Sequence, residues 1–106
     1  MRPRRYTLVF GSGVGRHIAW IGRKYASVIH DAVFGQLTFE PGVVSANRKP
    51  LRNPADWGAT WELRFGPNNR FRAYYRIDEH TSSVHVLAIG AKRGNRVWIA
   101  GEVAEI

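Results

Sequence analysis

From Trp61 to Asp78 the chain sorts itself by twos. Trp61, Leu63 and Phe65 alternate with Glu62 and Arg64; after Gly66-Pro67-Asn68-Asn69, Phe71, Ala73, Tyr75 and Ile77 alternate with Arg70, Arg72, Tyr74 and Arg76. A period of two broken by Gly, Pro and Asn predicts an antiparallel hairpin, with strands at about 59–65 and 71–77. A third strand, about 83–90, follows the polar turn Asp78-Glu79-His80-Thr81-Ser82, and Tyr6–Phe10 reads as a first strand. Between them the period changes. Ile18, Ile21, Tyr25, Val28 and Ala32 recur at spacings of three and four, and Ile29, Val33 and Leu37 widen the stripe. Gly22 costs roughly 1 kcal/mol inside a helix, so the pattern predicts two helices, about 14–21 and 23–38, stopped by Glu40-Pro41-Gly42. Val43 to Ala59 reads as a connection, and Lys92–Arg96 as a basic loop before the short apolar run Val97–Ala100.

The order strand, two helices, strand meander predicts an α+β fold, with the helical hairpin on one face of a small, mostly antiparallel sheet. One sheet face is expected to be apolar and covered, the other polar and open. The chain has 106 residues, one domain's worth, and 44% of them are hydrophobic, which argues for a packed core rather than a disordered tail.

Charge changes the picture. Sixteen Lys and Arg stand against eight Asp and Glu, a net +8, which favours polyanionic partners. With no cysteine there is no disulfide framework, thiol chemistry or Cys-based zinc site, and a reducing, cytoplasmic setting is expected. The apolar run Tyr6–Phe10 is too short for a signal sequence, and no run is long enough for a membrane span. His17, His30, His80 and His85 have neither ligand spacing nor an acidic cluster beside them, so neither a metal nor another cofactor is expected. The Gly11-Ser12-Gly13-Val14-Gly15 stretch lacks the spacing of a dinucleotide turn and the Lys-Ser/Thr of a phosphate loop; a flexible turn leading into a helix explains it.

The arginine face is the strongest chemical signal. Residues opposed on neighbouring strands lie about 5 Å apart, which puts Glu62 and Arg64 beside Arg70, Arg72, Tyr74 and Arg76. One carboxylate does not neutralise four guanidiniums, and the arginine fork matches phosphate. By alternation His85 shares a side with Leu87 and Ile89, as a candidate acid/base or a structural histidine.

The ordered series Asn47-Arg48-Lys49-Pro50-Leu51, Trp61-Glu62-Leu63-Arg64, Arg70-Phe71-Arg72-Ala73-Tyr74-Tyr75 and Val86-Leu87-Ala88-Ile89-Gly90, with Lys92 and Asn95-Arg96, resembles the RelE/ParE toxin superfamily over roughly residues 6–102. The resemblance implies a β-α-α-β-β-β toxin partnered by a cognate antitoxin, encoded in an adjacent frame. For RelE-like members it implies ribosome-dependent, metal-independent cleavage of mRNA by the 2′-hydroxyl; for ParE-like members, inhibition of DNA gyrase. A degenerate toxin that only binds a partner is a third reading. Carried over residue by residue, Arg72 meets the arginine on the scissile phosphate, Arg64 one strand lysine and Lys92 a following arginine. Glu62 stands where a second lysine is usual, and Trp98 where a tyrosine is usual. Glu62 or His85 is then the candidate base, since a guanidinium is too basic for that role. The candidate catalytic set is Arg72, Arg64, Lys92, Glu62 and His85; Arg70, Arg76, Arg93, Arg96, Lys49 and Trp98 are candidate RNA or phosphate contacts.

Overall fold

Two short helices supply most of the apolar stripe that the spacing predicts, except that Val28 is exposed and the buried face of the second helix centres on Ile29, Val33 and Leu37. The computed structural model describes residues 3–105. In it β1 (Thr7–Phe10) leads to α1 (Val14–Ile21), a 3₁₀ turn (Arg23–Tyr25) and α2 (Ala26–Leu37). Gly22 breaks the helical run as expected: its φ of 135° suits only glycine, and its N–H still donates to the Ile18 carbonyl at 2.9 Å. Val14 and Ile18 on α1, and Ile29, Val33 and Leu37 on α2, are buried against the sheet.

The sheet continues through β2 (Arg48–Pro50), β3 (Trp61–Phe65), β4 (Phe71–Asp78), β5 (Ser83–Arg93), β6 (Arg96–Ile99) and β7 (Glu102–Ala104). Their order in space is β2-β3-β4-β5-β6-β7, all antiparallel, while β1 pairs in parallel with the first half of β5. The expected hairpin is present in register: Trp61 faces Tyr75, Leu63 faces Ala73 and Phe65 faces Phe71. These residues, with Val84, Val86, Ile89 and Ala91, meet the helices in the main core. Gly66 closes the turn at φ 80°, where a Cβ would lie 2.5 Å from the Phe71 ring.

The structure adds three short strands to the expected layout. β2 lies inside the stretch read as a connection, and β6 with β7 forms a terminal hairpin where only an apolar run was expected. The turn of that hairpin is Ala100-Gly101, with φ of 49° and 85°. Two positive φ values suit a two-residue hairpin turn, but alanine at the first is a weak signal in sequence.

The outer sheet face also departs from the expected open, polar surface. The chain after β2 crosses it, and Ala55, Ala59, Tyr74 and Ala88 form a second buried cluster flanked by Leu51, Leu87, Val97 and Ile99. Gly90 permits the close approach of β6, since a Cβ there would lie 2.8 Å from Val97 Cγ1. A bulge corrects the third strand. Tyr74 pairs with Ala88 but Tyr75 with Val86, leaving Leu87 as the extra residue. Leu87 therefore stays outward with His85, while Ile89 turns into the helix-side core.

Candidate functional site

On the outer face, cross-strand register assembles a row from Lys49 through Glu62 and Tyr74 to Ala88, and a neighbouring row from Arg64 through Arg72 to Gly90. A cleft of about 490 Å³ opens over the first row, with Glu62 and Tyr74 among its lining and Lys49, Arg52, Asn95 and Arg96 around them. Its walls are β2 with the following Leu51–Asn53 on one side and the β5–β6 turn with Val103 and Ala104 on the other.

Glu62 is only 8% exposed. Its Oε1 accepts from Arg64 Nε at 2.7 Å and lies 3.6 Å from Arg72 Nε, so one carboxylate oxygen separates two arginines that sit opposite each other on β3 and β4. Without it, opposed like charges would strain the hairpin. Arg72 is more buried still, at 5%. Its Nη1 donates to the Asn69 and Phe71 carbonyls, which ties it to the β3–β4 turn. Burial lowers its pKa, opposed by the Glu62 carboxylate and reinforced by Arg64.

Tyr74 belongs to the site as well, although alternation puts it on the arginine face without marking a role. Its ring is buried against Ala88 and packs edge-on to Trp57, with centroids 5.8 Å apart. Burial raises the pKa of its hydroxyl strongly, and the Glu62 carboxylate adds to that. Tyr74 therefore stays protonated at neutral pH, a hydrogen-bond donor beside a carboxylate. The signal available in sequence was its position two residues from Arg72 on the same strand face.

The remaining candidates divide by location. Lys49 and Arg96 line the cleft; Arg70 and Lys92 line a smaller one of about 340 Å³ beside the β3–β4 turn. Arg76 and His85 face each other farther along β4 and β5, outside the cleft, so the structure does not bring His85 to Glu62. Arg93 pairs with Arg96 across the β5–β6 turn and does not line the cleft. Trp98 pairs with Ala91, a helix-side core residue, so its ring belongs to the sheet face opposite the cleft and offers no stacking surface there. Arg48, part of the basic connection, is spent on structure: its guanidinium binds the Gln36 and Val43 carbonyls and Glu40 beyond the C-terminus of α2. Among the described residues, no three His, Asp or Glu side chains gather in a metal-holding cluster.

On the same outer face, His17 of α1 accepts the Ile89 N–H on Nδ1 at 3.3 Å. Burial, with Arg16 nearby, lowers its pKa below the ordinary 6.5. The unfolded chain therefore takes up a proton first as pH falls, and the stability tied to neutral His17 is full above the unfolded value and lost below it. Melting temperature is expected to drop between pH 7.5 and pH 5.5, a window set by the ordinary histidine value. His17→Gln, which keeps an acceptor without the titration, should flatten that drop; an equal drop in both proteins would remove His17 as its cause.

No family model and no curated protein matches the sequence. A solved structure does. A chain of the crystal structure of the toxin–antitoxin complex RelBE2 from Mycobacterium tuberculosis superposes with a TM-score of 0.66 at 26% identity, over 83% of this chain and 99% of that one. The chain has the RelE-like toxin fold. The arginine-bearing hairpin, the carboxylate between its arginines and the cleft beside them thus sit on a RelE-like scaffold.

Proposed function

We propose that this protein is the toxin of a toxin–antitoxin pair and cleaves mRNA on the ribosome at the Glu62–Tyr74 cleft, with an antitoxin as its neutralising partner. The fold likeness to a chain of a toxin–antitoxin complex supports the first part. The observation that carries the chemistry is a carboxylate held at 2.7 Å by Arg64 in a cationic cleft, beside a tyrosine kept protonated. Cleavage by the 2′-hydroxyl needs a base for its proton, charge stabilisation on the phosphorane and a proton for the leaving 5′-oxygen. Glu62 takes the proton from the 2′-hydroxyl as the new O–P bond forms. Tyr74 donates to the departing oxygen as the old bond breaks. Lys49, Arg52 and Arg96 bind phosphates, and Arg64 with Arg72 fix the carboxylate.

Induced expression followed by mapping of mRNA 5′ ends tests the reading. Cut messages with blocked translation are expected. Intact messages with DNA breaks and SOS induction would instead favour gyrase inhibition, and growth without arrest would favour a partner-binding module.

Binding through phosphates also leaves a salt signature. Each cation removed from a phosphate lowers the slope of log affinity against log salt by about 0.7 on single strands, so Lys49→Ala, Arg52→Ala and Arg96→Ala together should lower it by about 2. Filter binding to single-stranded RNA reads this directly; an unchanged slope would remove these three residues from the RNA path.

A further inference from the structure

Asn47, the residue before β2, is half-buried and does not line the cleft, yet both hydrogens of its amide are engaged. Its Nδ2 donates to the Arg64 carbonyl at 2.8 Å and to Asn69 Oδ1 at 3.3 Å. The first acceptor is a main-chain oxygen, which fixes the end of the amide that donates. Asn47 is itself anchored: its carbonyl accepts the Arg64 N–H at 2.8 Å, and its own N–H donates to Ser45 Oγ at 3.2 Å. The backbone donor that would continue the β2–β3 ladder is thus turned to Ser45, and the side chain takes its place.

The other partner, Asn69, closes the β3–β4 turn. Asn68 and Asn69 stand in succession at φ 54° and 52°, a left-handed pair that residues other than glycine rarely adopt and that needs outside support. The turn supplies two bonds of its own, from the Asn69 N–H to the Gly66 carbonyl and from the Arg70 N–H to that of Pro67, each at 3.0 Å. The Asn69 carbonyl then accepts from Arg72 Nη1, while Arg72 Nε lies 3.6 Å from Glu62 Oε1. At that separation the Arg72–Glu62 contact is not itself a hydrogen bond, so the turn rather than the carboxylate fixes the guanidinium.

We infer that Asn47 is a positioning residue for cleavage: it clamps the β3–β4 turn and so holds Arg72 against Glu62. The inference rests on Glu62 being the base, as proposed above. Because Asn47 lines no part of the cleft, its removal should act on rate and leave RNA binding intact.

Asn47→Ala removes the clamp without touching the core. Single-turnover cleavage of ribosome-bound mRNA by the folded variant should slow roughly 10–100-fold, the scale of a small misplacement at the reacting centre, with half-saturation unchanged. The arginine Nε–H signals, read by ¹⁵N NMR on the full chain, give a readout independent of cleavage. That of Arg72 should shift and exchange faster with water. That of Arg48, held by the Val43 carbonyl at the neighbouring position, should not. Asn69→Gly, which suits the left-handed turn but lacks the acceptor, should move the Arg72 signal in the same direction. An unchanged Arg72 signal in either variant, Arg48 and Arg72 disturbed together, or a loss carried by half-saturation rather than rate would each overturn the assignment. Failure of the unaltered protein to cleave would overturn only the cleavage reading, since the Arg72 signal tests the clamp without it.

Discussion

Glu62→Gln is expected to reduce single-turnover cleavage of ribosome-bound mRNA by roughly 10²–10⁴, the usual contribution of a positioned general base. The substitution keeps the shape of the side chain and still offers an oxygen to Arg64, so the 2.7 Å contact has a neutral counterpart. What it removes is the proton acceptor and the negative charge between Arg64 and Arg72. Removing that charge has its own consequence. Two arginines directly opposite on β3 and β4 then face each other without an anion between them, so the melting temperature should also fall. The two effects separate by measuring rate on protein shown to be folded at the assay temperature. Arg64→Gln serves as the control: it takes one cation from Glu62 but leaves carboxylate and cleft in place. Its rate should fall less than that of Glu62→Gln, because the proton acceptor remains although one of the two cations that hold it is gone. If folded Glu62→Gln cleaves as fast as the unaltered protein, Glu62 is a structural counter-ion and the base lies elsewhere.

How far the sequence revealed this site depends on which physical signal marks each residue. The 61–78 hairpin was legible because its period of two is unbroken and its turn is chemically explicit, and that alternation alone put Glu62 among arginines. Helix boundaries were legible because Gly22 and Pro41-Gly42 break the pattern on either side of α2. Three things were not. The bulge at Leu87 inserts one residue into an otherwise regular apolar run, and nothing in Val86-Leu87-Ala88-Ile89 marks which of them is extra. The burial of Arg72 follows from the turn carbonyls it reaches, a tertiary fact that no period encodes. The role of Tyr74 depends on a loop, Ala55 to Ala59, folding back over the outer face, and alternation alone reads that face as open.

That burial of Arg72 gives the other large expectation. Resemblance casts Arg72 as a phosphate contact, but the structure spends its guanidinium on Glu62 and on the carbonyls of Asn69 and Phe71. An arginine aimed at phosphate and an arginine that positions Glu62 both matter for rate, yet they fail differently. Arg72→Ala leaves a buried carboxylate with a single partner and two turn carbonyls without their donor, so about 3–5 kcal/mol of stability should go. For a domain of this size that is a fall in melting temperature of roughly 12–20 °C. The cleavage rate should fall with it, because Glu62 is no longer held between two cations. RNA affinity and its salt slope should stay nearly unchanged, since a side chain 5% exposed releases few counterions from the nucleic acid. The opposite pattern, a protein as stable as the original that binds RNA weakly with a shallower salt slope, would return Arg72 to the phosphate. It would also mean that the β3–β4 turn opens on the ribosome to free the guanidinium from Asn69 and Phe71.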